Sequence, residues 1–501
     1  MDTKIAMNPN LLVRYLQKPA SDFTRADIIR YCEENEVEFV NFHYCGWDGK
    51  LKTLNFVIES AEHLEGILSA GERVDGSSLF PFIEAGKSDL YVIPKYRTAF
   101  RNPFSEIPTV DLLCSFYNRE GEPFESSPEY ILHKAHLAFQ ETTGLKMETM
   151  GELEYYIIAD DEEIYPVADQ RGYHESAPFN KFTNYRVEAM RLIAQAGGQI
   201  KYGHSEVGNF THGGKIYEQN EIEFLPVNIE DAADQLVVAK WIMRQLAYEY
   251  GVTLTFAPKI TVGKAGSGMH VHCKFTKDGK SMMLKNGELT DECKKAIAGF
   301  MEAGTSLPAF GNPNPLAFMR LVPHQEAPTS LCWSFSNRSA LVRVPLGWVN
   351  NGKDMAASCN PLEKPSAKDF SEKQTFEWRA SDGTADMYLL MAALCTAARH
   401  GFEIPNGLEI AEKTYVGVNI HDESNKKIQE SLEQLPDSCV AAAKELAKDR
   451  AIYSAKGVFS DNIIDYMIKF LTDFNDANLR AELGNDIEKI MKLVNDNIHV
   501  G

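Results

Sequence analysis

The chain has 501 residues, 44% hydrophobic and 24% charged, which supplies apolar material for more than one core and argues against disorder or low complexity. Its formal charge of −20 argues against nucleic acid or an anionic membrane as principal partner, and an anionic substrate needs local cations or bound metal. Nine scattered cysteines without a CxxC pair argue against a disulfide framework or thiolate zinc site and, with no apolar leader, point to the cytoplasm.

Helical spacing over residues 26–35 leads into strand candidates at 37–43 and 51–58, joined by the Asp48-Gly49 turn. Residues 60–68 predict a short helix with Ser60 as N-cap. The stretch 81–108 is rich in proline and strand formers, and GEPFESSP (121–128) reads as a junction before a strong helix at 129–142. A boundary there divides the chain into a small α+β unit, 20–122, and a larger one, 123–501. Beyond it, amphipathic helices are expected at 185–196 and 229–250, the second closed by Gly251. Strands are expected at 152–158, 221–225, 253–256, 269–275, 340–345 and 375–380, and 347–374 reads as a long surface insertion. The nearly apolar run 387–398 is too short to span a bilayer and predicts a buried helix. Amphipathic stretches at 438–448, 461–474 and 486–497 make the last hundred residues mostly helical.

Four of the expected strands carry polar residues two apart: Glu152 and Glu154, Glu221 and Glu223, His270 and His272, Glu377 and Arg379. Residues i and i+2 share one face of a strand. One such pair is an ordinary solvated face; four, set among Ile, Leu, Phe and Tyr, predict a sheet with a polar cleft. Clustered carboxylates resist ionising together unless cations neutralise them, and a carboxylate and imidazole donor set suits Mg²⁺ or Mn²⁺ better than zinc. Arg320, Arg338 and Arg343 stand in nearby segments and would suit phosphate or carboxylate groups. Metal, carboxylates and arginines together suit phosphoryl transfer, yet no Walker or kinase glycine loop is present.

At these same residues the chain resembles bacterial type I glutamine synthetase. The matches run in order through VDGSS (74–78), ELEYY (152–156), HSEV (204–207), QNEIEF (219–224), GSGMHVH (266–272), RLVPHQEAP (320–328), NRSALVRVP (337–345) and FEWRASD (376–382). The resemblance implies an α+β fold: a small β-grasp N-terminal domain and a larger catalytic domain whose antiparallel sheet forms a funnel among helices. It implies glutamine biosynthesis: ATP phosphorylates the γ-carboxylate of L-glutamate, and ammonia displaces the phosphate. It also implies a homo-oligomer, a hexameric ring stacked in the family as a homododecamer, with active sites between subunits. By the same resemblance Glu154, Glu206 and Glu221 hold one metal ion, Mg²⁺ or Mn²⁺, and Glu152, His270 and Glu377 hold another. Gly266 and Arg320 meet the glutamate substrate; Arg338, Arg343 and Arg379 surround the transferring phosphate, and His272 lies near the nucleotide. Glu326 closes the site, and Asp75 enters from a neighbouring subunit to deprotonate ammonium.

Departures from the family pattern bear on the substrate. Ala265 stands where asparagine is expected, Lys274 replaces a serine, Glu372 and Thr375 replace basic residues, with Lys373 beside them, and ADMYL (385–389) replaces ANPYL. Tyr415 lies outside an adenylylation-type loop, so no control by adenylylation is expected. The alternative readings are a γ-glutamyl ligase that accepts an organic amine and a non-catalytic homologue. Against the last, none of the metal glutamates is lost.

Overall fold

A computed structural model describes residues 3–322, 327–347, 356–364 and 370–501. In the N-terminal unit, after two short helices at Thr3–Ala6 and Leu11–Leu16, Thr24 and Asp27 form a capping box at the start of α1 (Arg25–Glu34), so this helix begins where two orphan amides find partners. The strands β1 (Phe39–Cys45) and β2 (Leu51–Val57) form the expected hairpin, and Ser60 caps α2 (Ala61–Ala70) through the His63 amide. With β3 (Glu72–Asp75), β4 (Asp89–Pro94) and β5 (Thr109–Tyr117) they make a mixed sheet in the order β2-β1-β5-β4-β3, in which β1 and β5 run parallel. Val40, Phe42, Leu112 and Phe116 fill its core against both helices. The proline-rich stretch yields only short strands and 3₁₀ turns, because proline lacks the N–H that a ladder needs.

The larger unit begins with α3 (Pro128–Thr143) and the long strand β6 (Lys146–Asp160), followed by α4 (Thr183–Gln195), β7 (Ile200–His212), β8 (Lys215–Phe224) and α5 (Ile229–Glu249). Then come β9 (Met269–Lys277), α6 (Asp291–Glu302), α7 (Pro315–Arg320), β10 (Trp333–Phe335), β11 (Val342–Val344), β12 (Phe376–Trp378) and α8 (Met387–Glu403). The main sheet runs β10-β11-β12-β9-β6-β8-β7 and is antiparallel except for the β10–β11 pair. On one side α5 packs on β6 at Gly151, where an added Cβ would lie 3.1 Å from the Leu236 side chain. The apolar run at 387–398 is buried as expected, and Asp386 caps its helix by accepting from the Leu389 amide at 2.9 Å.

The expected helices and strands are present with shifted ends. The strands β3, β5, β7 and β10 and the helices α6 and α7 were not anticipated; Gly203, Gly208 and three polar residues in HSE dilute the alternation of β7. Of the stretch read as an insertion, 348–355 and 365–369 lie outside the described residues, and 356–364 are almost all exposed. Among the described residues no helix is long and apolar enough to cross a membrane.

Candidate active site

Strand register turns the four residue pairs into one polar array. Pairing of β6 with β8 sets Glu152 against Glu223 and Glu154 against Glu221. On the other side of β6, β9 sets His270 against Glu152. Next along the sheet, Glu377 faces His272 and Arg343 faces Glu377. At the far edge β7 sets His204 against Glu221 and Tyr202 against Glu223. Directly opposed residues share a face, and like charges opposed in this way destabilise a sheet. The sheet therefore stores repulsion where a cation would relieve it.

The contacts follow the register. His270 Nδ1 and His272 Nε2 each lie 2.8 Å from Glu152, and His272 Nε2 is 2.9 Å from Glu377. Burial opposes protonation of His272, yet Glu152 and Glu377 outweigh it and raise the imidazole to about 10. Arg343 Nη1 and Arg379 Nε sit 2.8 and 3.0 Å from the same Glu377 oxygen. Glu154 accepts from the Gly268 amide at 2.7 Å and from Gln219 Nε2 at 3.2 Å. His204 Nε2 is 3.4 Å from Glu221. Burial, then the charges of Glu152, Glu154, Glu206 and Glu223, push the Glu221 carboxyl well above the ordinary carboxylate range. Among the described residues, ligand atoms within 4.8 Å of one another are offered by two trios, Glu152–Glu223–His272 and His204–Glu206–Glu221, which overlap the two expected ligand sets without reproducing either. This oxygen and imidazole donor set, crowded with charge, fits a hard divalent ion.

The array floors a cleft of about 760 Å³. Glu152, Glu154, Glu206, Glu221, His270, Gly266, Arg320, Arg338, Arg343 and Arg379 all line it. Arg320, at the end of α7, is buried and donates to the Ala380 carbonyl at 2.9 Å. Gly266 and Gly268 leave its path clear: a Cβ at Gly266 would lie 2.6 Å from the Pro258 carbonyl oxygen and 2.9 Å from Arg320 Cγ. His272 and Glu377 are buried, and His272 bonds both the lining residue Glu152 and Glu377. Asp75 is exposed at the end of β3, bonded to Ser77 and Ser78, and does not line the cleft of its own chain. Glu326 lies outside the described residues.

Several lining residues had no role in the sequence reading, His204, Tyr202, Tyr173 and Lys259 among them, and Glu223 entered it only as a member of a polar pair. The alternation Tyr202, His204, Glu206 is a strand signal, hidden by Gly203 and by the missed strand. The departures now have surroundings. Ala265 is held by its backbone, donating to Gln170 at 2.7 Å and accepting from Tyr156 Oη at 2.8 Å. Thr375 Oγ1 is 2.8 Å from His272 Nδ1 and so orients that ring. Lys274 Nζ is 3.6 Å from Glu148, Glu372 accepts from the Ser281 amide at 2.9 Å, and the Lys373 ammonium lies 5.2 Å from the Phe370 ring centre. Tyr415 packs on Trp333 with ring centres 4.9 Å apart.

Residues 36–119 match the family model described as glutamine synthetase, beta-Grasp domain, and residues 125–473 match glutamine synthetase, catalytic domain. The glutamine synthetase of Methanococcus voltae is 26% identical over 475 residues, covering 93% of this chain and 98% of that one. That of Thermotoga maritima is 28% identical over 449 residues, covering 86% and 91%. Among solved structures, Plasmodium falciparum glutamine synthetase superposes with a TM-score of 0.74 at 21% identity, over 92% of this chain and 98% of that one. A structure titled GmaS without ligand gives 0.71 at 17% identity, over 93% and 99%. Two family models in succession, laid over this fold and this carboxylate array, place the chain in the glutamine synthetase family as an ATP-dependent ligase.

Proposed function

We propose that the chain joins ammonia to the γ-carboxylate of L-glutamate, releasing glutamine, ADP and phosphate. The observation that carries this reading is the register itself, which brings facing glutamates and, through Arg343 opposite Glu377, arginines to one cleft. The catalytic unit is taken to begin near residue 123 and the β-grasp unit to span 20–122. Glu154, Glu206 and Glu221 would hold one Mg²⁺ or Mn²⁺ ion, and Glu152, His270 and Glu377 a second. Such ions neutralise phosphate oxygens and draw electron density from phosphorus.

The chain's own residues do the remaining work. Arg320, buried and anchored to carbonyls, presents a fixed guanidinium for the α-carboxylate, and Gly266 lets that carboxylate approach. A γ-carboxylate oxygen attacks the terminal phosphorus of ATP, and ADP leaves. Arg338, Arg343 and Arg379 balance the charge gathering on the transferring group. Carboxylate is a poor acylating agent; as the γ-glutamyl phosphate it has a leaving group. Asp75 of a neighbouring copy takes a proton from ammonium, the ammonia attacks the carbonyl carbon, and phosphate departs. Glu326 would close the site, and His272 would face the nucleotide. The need for that neighbour makes the protein a homo-oligomer, and the resemblance supports a ring of six, paired as a dodecamer.

A second reading, an organic amine in place of ammonia, is favoured by the small Ala265 side chain and by the aromatic faces of Tyr173 and Tyr202 at the cleft. Phosphate release from ATP and glutamate separates the two. Stimulation by ammonium with glutamine as product supports the first; stimulation only by members of an amine panel supports the second. No release with either, in Mg²⁺ or Mn²⁺, overturns both.

A further inference from the structure

One of the cleft's glutamates, Glu223, is met by a cation that strand alternation does not predict. Where β7 meets Glu223 the pairing steps from Ile200 opposite Phe224 to Tyr202 opposite Glu223, leaving Lys201 as an extra residue. A bulge sets two residues against one and re-aims a side chain. Here it brings Lys201 Nζ to 2.7 Å from Glu223 Oε2, with the ammonium 4.8 Å from the centre of the Tyr202 ring. Glu223 is buried, whereas the Lys201 side chain is 39% exposed, so the lysine reaches in from the rim. The register builds the pairs Glu154–Glu221 and Glu152–Glu223 alike, and the bulge then treats the second differently by fastening an ammonium to it. Glu223 also stands with Glu152 and His272 in one of the two trios whose ligand atoms lie within 4.8 Å.

We infer that Lys201 is a positioning residue, a tethered monovalent cation that claims Glu223 and keeps it from becoming a further ligand of a divalent ion at Glu152. An ion held by fewer protein carboxylates keeps coordination positions for phosphate oxygens and binds less tightly. Lys201 thereby keeps this side of the cleft open to substrate phosphates. The inference rests on the reading of the cleft as a divalent-cation site.

The test titrates Mn²⁺ into the assembled full-length protein, following free ion by electron paramagnetic resonance, in wild type, Lys201→Arg, Lys201→Met, Glu223→Gln and the double variant. Circular dichroism checks that each is folded. Lys201→Met is expected to bind its weakest Mn²⁺ about tenfold more tightly, since one more carboxylate is available. Lys201→Arg should match wild type, and the gain should vanish when Glu223→Gln is combined with Lys201→Met. A purely structural lysine would lower the melting temperature without tightening the ion. Unchanged or weaker binding in folded Lys201→Met, or an equal gain without Glu223, overturns the inference while leaving the proposed function standing. A wild type that binds no Mn²⁺ overturns this inference, whereas the proposed function falls only if phosphate release fails in both Mg²⁺ and Mn²⁺.

Discussion

Glu221 is caught between two requirements. It faces Glu154 across the ladder and feels four glutamates, Glu154 among them, so the ion-free sheet pays in repulsion for a ligand set that is ready for metal. Glu221→Gln should therefore raise stability in a chelator by up to about 1 kcal/mol while weakening Mn²⁺ binding by about 10- to 100-fold. Thermal unfolding with and without Mn²⁺ measures both, and a variant that loses stability in chelator contradicts the account. Gly266 poses a steric problem instead: the site of its missing Cβ is already hemmed in by the Pro258 carbonyl and Arg320 Cγ. Gly266→Ala should displace Arg320 and raise KM for glutamate by about tenfold or more, one extra contact costing upward of 1.4 kcal/mol. An unchanged KM would remove Arg320 from the substrate's α-carboxylate.

Elements were legible wherever a period ran unbroken. Residues 229–250 and 387–398 read as helices because their apolar spacing persists over several turns, and the register partners of Glu152 and His270 lie in strands that alternate cleanly. β7 was missed because two glycines and a polar run erase its alternation, and its bulge breaks the period outright. The crossing of α6 and α8 depends on Gly299 and Gly401, where a Cβ would overlap the carbonyl oxygens of Ala397 and Lys295 respectively. Gly401→Ala should cost about 1–3 kcal/mol by overpacking, although alanine is the better helix former. A melting temperature equal to or above wild type would show that the helices can move apart freely.

The two units are joined by charge. Lys95 and Arg97, just beyond β4, meet Asp234 on α5 at 2.7 and 2.8 Å, and Tyr388 Oη donates to the same carboxylate at 2.8 Å. Burial opposes ionisation of Asp234, but Lys95 and Arg97 outweigh it and hold the carboxyl below its ordinary value. A carboxyl depressed in the folded state stabilises it above the unfolded value of about 4 and loses that contribution as pH falls through the folded value. Acid should therefore loosen the junction below about pH 4. Asp234→Asn should remove that acid-sensitive increment and cost on the order of 3 kcal/mol at neutral pH, by taking the ion-pair partner from Lys95 and leaving Arg97 with Asp231. Fluorescence of Trp241, which packs on His43 and Phe104 across the junction, reports the loosening. A variant with wild-type stability and the same acid profile would dissociate the ion pairs from the joining of the units.

The ordered motifs by themselves carried the resemblance to the family and with it the α+β class, while the i, i+2 pairs alone marked a polar sheet face, because that spacing needs no knowledge of which strand pairs with which. Register did need the fold. Nothing in the local sequence says that Glu152 will face Glu223, that His272 will bond Glu152 and Glu377, or that Thr375 will orient that ring. Those contacts join segments more than fifty residues apart, set by packing of the whole sheet against α5 and α8. Lys201 is the sharpest case: in sequence it is an ordinary basic residue before HSEV, and only a bulge in the folded sheet turns its ammonium onto Glu223.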